Sequence, residues 1–372
     1  MKDIRFNYHF EPKKGWMNDP NGLCYFNGKY HAFFQHNPHE PKWDVMHWGH
    51  AISNDLIHWE ELPIALYPDK EYENAYGCFS GSALEIDNKL VIFYTAVGKE
   101  LGQTQCMATT FDCENFVKHA DNPLIATHPQ NSKGEYNKDF RDPKLIKAFG
   151  KYFLVMAGGK NGMGQIFLYS STNLTAWKFE SIIFESDKFG VCIECPDLFF
   201  IDEKWVLAFS AVKPTVASTV FLIGDFNGNE FKVEKECYSE LCRDFYAPQT
   251  FENKTGERII IGWMNHPGRE LAEWETTAGG FSIPRKLTYK NGYIYNYPIK
   301  EAQNLLISEC EFVKINGTTI EIYSLNGEPL SSWNLLGING IEKIERVDIL
   351  FDKKMVEIFI NGGLVSISQW LV

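Results

Sequence analysis

The feature that most restricts this chain is an internal repeat. Five segments read as a turn, a basic residue and then an apolar strand. The first is Asn27-Gly28-Lys29-Tyr30-His31-Ala32-Phe33-Phe34. The others open at Asp87-Asn88-Lys89, Phe149-Gly150-Lys151, Asp202-Glu203-Lys204 and Gly256-Glu257-Arg258. The basic positions 29, 89, 151, 204 and 258 are spaced by 60, 62, 53 and 54 residues. An aromatic follows at Trp59, Phe116, Trp177 and Phe231, which is 30, 27, 26 and 27 residues after the basic position. Ser53-Asn54-Asp55-Leu56-Ile57-His58-Trp59 resembles Ser171-Thr172-Asn173-Leu174-Thr175-Ala176-Trp177 nearly position for position.

Helical periodicity is almost absent, and short apolar runs broken by Gly, Asn, Asp and Pro dominate, so the chain is all-β. A unit of this length holds about four short strands. One such sheet cannot bury both faces alone, and stacking units around an axis solves the problem. Five units predict a five-bladed β-propeller. An irregular sandwich with accidental similarity is the competing reading, and two marks in register argue against it.

Composition narrows the partners. The 48 acidic and 36 basic side chains give a formal charge of −12. Nucleic acid and anionic membranes need basic patches, so neither is expected as a partner. No apolar run approaches the roughly 18 residues of a membrane helix. The N-terminus lacks the apolar stretch and cleavage site of a signal peptide. Nine cysteines lie without a framework and read as reduced thiols in a cytoplasmic protein. Cys192 and Cys195 have redox or zinc spacing, but no second pair follows, so no metal is assigned. His47-Trp48-Gly49-His50 has no third ligand at fixed spacing and reads as a strand. The glycines match no phosphate loop, and no cofactor is expected.

Asp19, Asp142 and Glu194 lie 10, 9 and 10 residues before the basic mark of units one, three and four. Each opens the strand before the turn, the best candidate for the innermost strand of its unit. The same structural position is therefore expected for all three, facing a central pocket. Phe79 and Tyr246 take the matching place in units two and five. Any single acid-Pro turn is ordinary structure. Three converging carboxylates repel one another and lose hydration, a cost expected where chemistry uses them. Paired carboxylates around a scissile bond are the equipment of glycoside hydrolysis, one of them a protonated acid. Trp16, Trp43, Trp48 and Trp263 offer ring faces for a sugar. Asn18, Gln35, Asn37, Ser80 and Arg141 offer hydrogen bonds. Arg141 is expected to hold Asp142 ionised. Trp59 and Trp177 are assigned to packing.

These residues resemble a known family. Trp16-Met17-Asn18-Asp19-Pro20-Asn21-Gly22 looks like the hallmark of glycoside hydrolase family 32, the invertase and fructanase family. Six further blocks follow in family order: Met46-His47-Trp48-Gly49-His50, Phe79-Ser80-Gly81-Ser82, Phe140-Arg141-Asp142-Pro143-Lys144, Glu194-Cys195-Pro196-Asp197, Asp244-Phe245-Tyr246-Ala247-Pro248-Gln249 and Ser282-Ile283-Pro284-Arg285. The resemblance implies a five-bladed propeller followed by a β-sandwich, and release of terminal β-D-fructofuranosyl units with retention. It implies Asp19 as nucleophile, Glu194 as acid/base and Asp142 as transition-state stabiliser. Asn18, Gln35, Trp43, Phe79, Ser80, Arg141, Tyr246 and Trp263 match positions lining the fructose site.

The tail departs from this pattern. The propeller is expected over 1–297 and a C-terminal sandwich-like domain over 298–372, shorter than the family's usual domain. The loss falls between about 300 and 345, since 347–363 still resemble late sandwich strands. Edges or an apolar face left open would be covered by the propeller or by a second copy, and a homodimer through this region is one expectation. A fructosyltransferase with the same trio and a non-catalytic fructan-binding propeller are the alternative functions. An inverting pentosidase on a related propeller would lack the Trp-Met-Asn-Asp-Pro-Asn-Gly block. The motifs do not separate sucrose, sucrose 6-phosphate, short fructo-oligosaccharides, inulin and levan, though a cytoplasmic site favours small sugars. No basic cluster suited to a phosphate is legible.

Overall fold

Four of the five repeat turns are two-residue hairpins in which both central residues have positive φ. They are Asn27-Gly28 (48° and 78°), Asp87-Asn88 (53° and 59°), Phe149-Gly150 (49° and 72°) and Asp202-Glu203 (45° and 69°). That is the type I′ geometry matching the twist of paired strands. The computed structural model describes residues 5–129, 136–213, 217–265, 271 and 275–372.

The hairpins extend into five antiparallel sheets. Their first strands are Gly15–Phe26, Gly77–Ile86, Tyr136–Ala148, Ile193–Ile201 and Phe245–Glu252, and we number the sheets I to V in that order. Apolar clusters fill the spaces between consecutive sheets. Phe33, Trp48, Cys78 and Tyr94 pack between I and II. Phe93, Phe140 and Phe167 pack between II and III. Val155, Leu168, Leu207 and Phe209 lie between III and IV. Phe199, Val206, Phe245 and Ile260 lie between IV and V. Met17, Phe34, Phe251 and Ile261 then join V to I, so the ring closes. Residues 277–278 pair with the first strand of sheet I, a further closing tie. The architecture is a β-propeller with a β-sandwich-like unit behind it.

The outer turns repeat as well. Ser53 Oγ accepts from Leu56 N at 2.8 Å, and Ser171 Oγ from Leu174 N at 2.9 Å. Trp59 and Trp177 each donate to the carbonyl of that leucine, at 2.9 and 2.8 Å. Thr110 and Cys113 build the same turn in sheet II.

Every first strand carries a register shift near its start, between residues 17 and 20, 78 and 81, 141 and 144, 194 and 197, and 246 and 249. Such bulges re-aim side chains. In sheets III to V the second residue of the bulge is left-handed: Asp142 (φ 61°), Cys195 (48°) and Ala247 (47°). Counted in this frame the three acids are not equivalent. Glu194 is first in its bulge, Asp142 second and Asp19 third. The single structural position expected from the repeat holds only to within two residues.

After Pro298 the chain forms two three-stranded sheets, VI (313–334) and VII (347–370). Side chains alternate across sheet VII. Val356, Ile358 and Ile367 face sheet VI in one apolar cluster, while Leu350, Met355, Phe359 and Trp370 join the propeller's clusters. The chain covers the edges of sheet VII itself. Ile307 and Ile349 exchange bonds of 2.8 Å on one side, and Ser366 pairs with Ser239 and Leu241 on the other.

A buried charge network joins sheet VII to the propeller. Arg285 donates to Glu240 at 2.6 Å, to Glu357 at 2.6 Å and to Ser366 and Ser368. His9 bridges Asp352 at 3.0 Å and Glu357 at 2.8 Å.

Candidate active site

The starts of the five inner strands surround a cavity of about 960 Å³. Its lining includes all eleven residues that the family resemblance implied: Asn18, Asp19, Gln35, Trp43, Phe79, Ser80, Arg141, Asp142, Glu194, Tyr246 and Trp263. The bulges explain how strands of different sheets aim these side chains at one volume.

Asp19 is held by three donors, Ser80 Oγ at 2.6 Å and the Cys195 thiol at 3.3 Å on Oδ2, and Asn18 Nδ2 at 3.1 Å on Oδ1. Asn18 is in turn fixed by Trp16 Nε1 at 2.7 Å. Burial raises the Asp19 pKa above the usual range, the Ser80 and Asn18 bonds oppose the rise, and the charge of Glu194 adds to it.

Asp142 accepts from the backbone N–H of Cys195 at 3.0 Å. Burial pushes its pKa up to about 7; Arg141 opposes this, and the charges of Asp19 and Glu194 reinforce it. Arg141 thus favours the ionised form of Asp142, as expected, but burial opposes it. The Arg141 Nε lies 3.7 Å from Asp142, whereas its two Nη groups are committed to Asp139 at 2.5 Å and Glu194 at 2.6 Å.

Glu194 thus accepts from Arg141 on Oε1, and from the Tyr246 hydroxyl on Oε2. Burial, then the Glu194 charge, keep the Tyr246 phenol well above its usual pKa and therefore protonated.

Trp43, 47% exposed, forms the rim with Tyr76 and Phe79, at ring distances of 5.5 and 6.1 Å. Gln35 reaches across to the Cys78 carbonyl at 3.0 Å. The Trp263 ring meets Trp16 edge-on at 5.8 Å, and its buried Nε1 has no hydrogen-bond partner among the described residues. Three candidates stand apart from the cavity. Trp48 is fully buried core and donates to the Phe79 carbonyl at 3.0 Å. Asn37 is turned to the Lys42 carbonyl at 2.9 Å. Trp16 supports Asn18 from behind.

Sequence reasoning missed Asp139, Gln103, Cys195, Tyr76, Lys99 and Lys138 in this lining. Asp139 was detectable, since it lies two residues before Arg141 on the same strand face. The two lysines come from different sheets, which is why no basic cluster was legible along the chain. The Cys195 thiol lies 3.3 Å from Asp19 and 3.6 Å from Asp142. All nine cysteines are free thiols, and no group of three or more His, Cys, Asp or Glu side chains fit for a metal occurs among the described residues. No helix among them is long and apolar enough to cross a membrane.

Residues 9–298 match the glycosyl hydrolases family 32 N-terminal domain. The chain belongs to glycoside hydrolase family 32. Among family 32 relatives, the sucrose-6-phosphate hydrolase of Escherichia coli is 35% identical over 320 residues, covering 80% of this chain and 65% of that protein. The sucrose-6-phosphate hydrolase of Vibrio alginolyticus is 30% identical over 420 residues, covering 96% of this chain and 84% of that protein. The Bombyx mori GH32 β-fructofuranosidase structure superposes with a TM-score of 0.80 at 29% identity, covering 99% of this chain and 89% of that one. The chain therefore spans just under two thirds of the first of these relatives and most of the other two.

Proposed function

We propose that the protein is a retaining β-fructofuranosidase. It releases terminal non-reducing β-D-fructofuranosyl residues from sucrose or short fructo-oligosaccharides. The observation that carries this is the convergence of Asp19, Asp142 and Glu194, from three sheets, on one cavity whose walls are aromatic and amide. The sucrose-6-phosphate hydrolases and the β-fructofuranosidase among its relatives support the same substrate class.

In this reading Glu194 delivers a proton to the glycosidic oxygen as that bond breaks. Asp19 attacks the anomeric carbon C2 through an oxocarbenium-like transition state and forms a fructosyl-enzyme. Glu194, now ionised, takes a proton from water, which attacks C2 and frees fructose. Asp142 binds fructose hydroxyls and steadies the developing charge. Ser80 and Asn18 orient the nucleophile. Arg141 and Tyr246 hold the two oxygens of Glu194 at fixed positions, and Trp43, Phe79 and Trp263 pack on the sugar with Gln35 beside them. No metal or cofactor takes part.

Lys99 and Lys138 offer a phosphorylated leaving group a counter-charge, so sucrose 6-phosphate belongs in the substrate panel with sucrose, kestose, inulin and levan. Asp19→Ala and Glu194→Ala should each abolish hydrolysis with the fold intact, and the first-released fructose should be the β anomer by NMR. Normal turnover by either variant would refute the assignment. Transfer products dominating at high sucrose would mark a fructosyltransferase, and binding without turnover a fructan-binding protein.

The catalytic domain spans 1–297 and the reduced sandwich 298–372, with the cytoplasm as the site of action, supported by the buried thiols. Two copies pair through the C-terminal region, supported by the exposed Ile315, Leu330 and Leu336 around sheet VI. A monomer in light scattering at micromolar concentration would count against the pairing.

A further inference from the structure

The inner strands of sheets III, IV and V belong to separate ladders, so main-chain pairing does not fix Asp142, Glu194 and Tyr246 relative to one another. Side chains make the connection instead, in two layers. At the cavity, Arg141 of sheet III and Tyr246 of sheet V both donate to Glu194 of sheet IV. Three or four residues further along the same strands, the pattern recurs with Lys144, Asp197 and Thr250. Lys144 Nζ donates to Asp197 Oδ2 at 2.9 Å and to the Thr250 carbonyl at 2.6 Å. The Thr250 N–H donates to the same Asp197 oxygen at 2.6 Å. The three bulges that aim the catalytic side chains lie between the two layers.

We propose that Lys144 and Asp197 are positioning residues that set the spacing of Asp142 and Glu194 by clamping the far ends of these bulges. The proposal rests on the reading of those carboxylates as catalytic.

Energetics point the same way. Lys144 is 8% exposed and Asp197 is wholly buried. Burial pulls the Lys144 pKa below its usual value, against the favourable charge of Asp197. Asp197 Oδ1 has no hydrogen-bond partner among the described residues, a further cost. A buried pair of this kind is often matched in stability by apolar side chains of similar volume. Stability alone gives little reason for the pair, while geometry does. Bulges are pliable points in a strand, and a misplacement of about 1 Å at reacting groups costs about 100-fold in rate. Lys144 and Thr250 also line a separate hollow of about 340 Å³. The pair therefore sits beneath the catalytic cavity and outside its lining, where a sugar does not touch it.

The test uses Lys144→Met and the double variant Lys144→Met/Asp197→Leu, which removes both charges. Kinetics on sucrose, thermal midpoints and a crystal structure of the double variant are the readouts. The expected result is a kcat lowered about 10-fold or more in both variants with KM little changed. The double variant should recover the thermal midpoint that the single one loses, without recovering kcat. Its structure should show the Cys195 N–Asp142 contact lengthened or Glu194 displaced by about 0.5 Å or more. Wild-type kcat in the double variant, or an undisturbed Asp142–Glu194 arrangement, would overturn the proposal. If Lys144→Met does not fold, the double variant decides alone. The structural readout does not depend on which substrate the enzyme takes. Asp19→Ala in the same assay separately reports whether the catalytic reading holds.

Discussion

Arg141 and Glu194 stand on inner strands of different sheets, yet the guanidinium Nη2 lies 2.6 Å from Glu194 Oε1. The other terminal nitrogen is held by Asp139 at 2.5 Å, so the planar fork spans a carboxylate on either side. A lysine is a point charge on a flexible stem and cannot hold both. Arg141→Lys should therefore lower kcat on sucrose about 100-fold, within the range for a misdirected acid/base group. Circular dichroism should be unchanged. Activity within a factor of two of wild type would show that the fork does not orient Glu194.

Gly81 closes the bulge of sheet II that carries Phe79 and Ser80. A Cβ there would lie 2.0 Å from the Phe93 carbonyl oxygen, a backbone atom that cannot step aside. Gly81→Ala should spread the strands under Ser80, the partner of Asp19. A lower thermal midpoint and a lower kcat/KM are expected together. A variant that kept both would show that the sheet accommodates the methyl by a small shift.

Much of this site was legible because a repeat reports position. The marks at Lys29, Lys89, Lys151, Lys204 and Arg258 located the inner strands, and the acids followed by counting back. Counting could not supply the bulges. Those shifts place Glu194, Asp142 and Asp19 at successive points of a common frame. Nor does residue type separate Trp43 from Trp48, since only packing puts one at the rim and the other in the core. The network of His9, Arg285, Asp352 and Glu357 was invisible for a different reason. Its bonds join residues as far as 348 positions apart, and charge patterns along a chain carry no such information.

Arg285 is fully buried and satisfies Glu240 and Glu357 together. Removing it takes the cation from buried Glu240 and leaves Glu357 with His9 alone, and breaking a buried pair costs about 3–5 kcal/mol. Arg285→Met should lower the urea midpoint by a corresponding amount, while the folded fraction keeps its KM for sucrose because Arg285 does not line the cavity. An unchanged midpoint would mean that Arg285 adds nothing net to the hold between the propeller and sheet VII.

The same network makes stability depend on alkaline pH. His9 is fully buried between Asp352 and Glu357. Burial works against its charge, but bonds to both carboxylates outweigh it and raise the pKa from 6.5 to about 9. Its contribution is thus complete below about 6.5 and is lost as pH rises through about 9. At roughly 1.4 kcal/mol per unit, this raised pKa is worth about 3 kcal/mol. The partner Asp352 is depressed to about 2, so its share is lost only in strong acid. Asp142 and Asp244, both raised to about 7 chiefly by burial, also lose stability with rising pH, but they finish near neutrality. From about pH 7.5 to 9.5 His9 shares the loss with the buried thiols, whose pKa values burial raises, so that the unfolded chain ionises them before the folded one does. Wild type should lose urea-midpoint stability steadily across this interval. His9→Gln, which keeps hydrogen-bonding groups without the charge, should start lower and fall less steeply, since only the thiols' share of the loss remains. Equal slopes for the two proteins would show that His9 carries no proton in the native state.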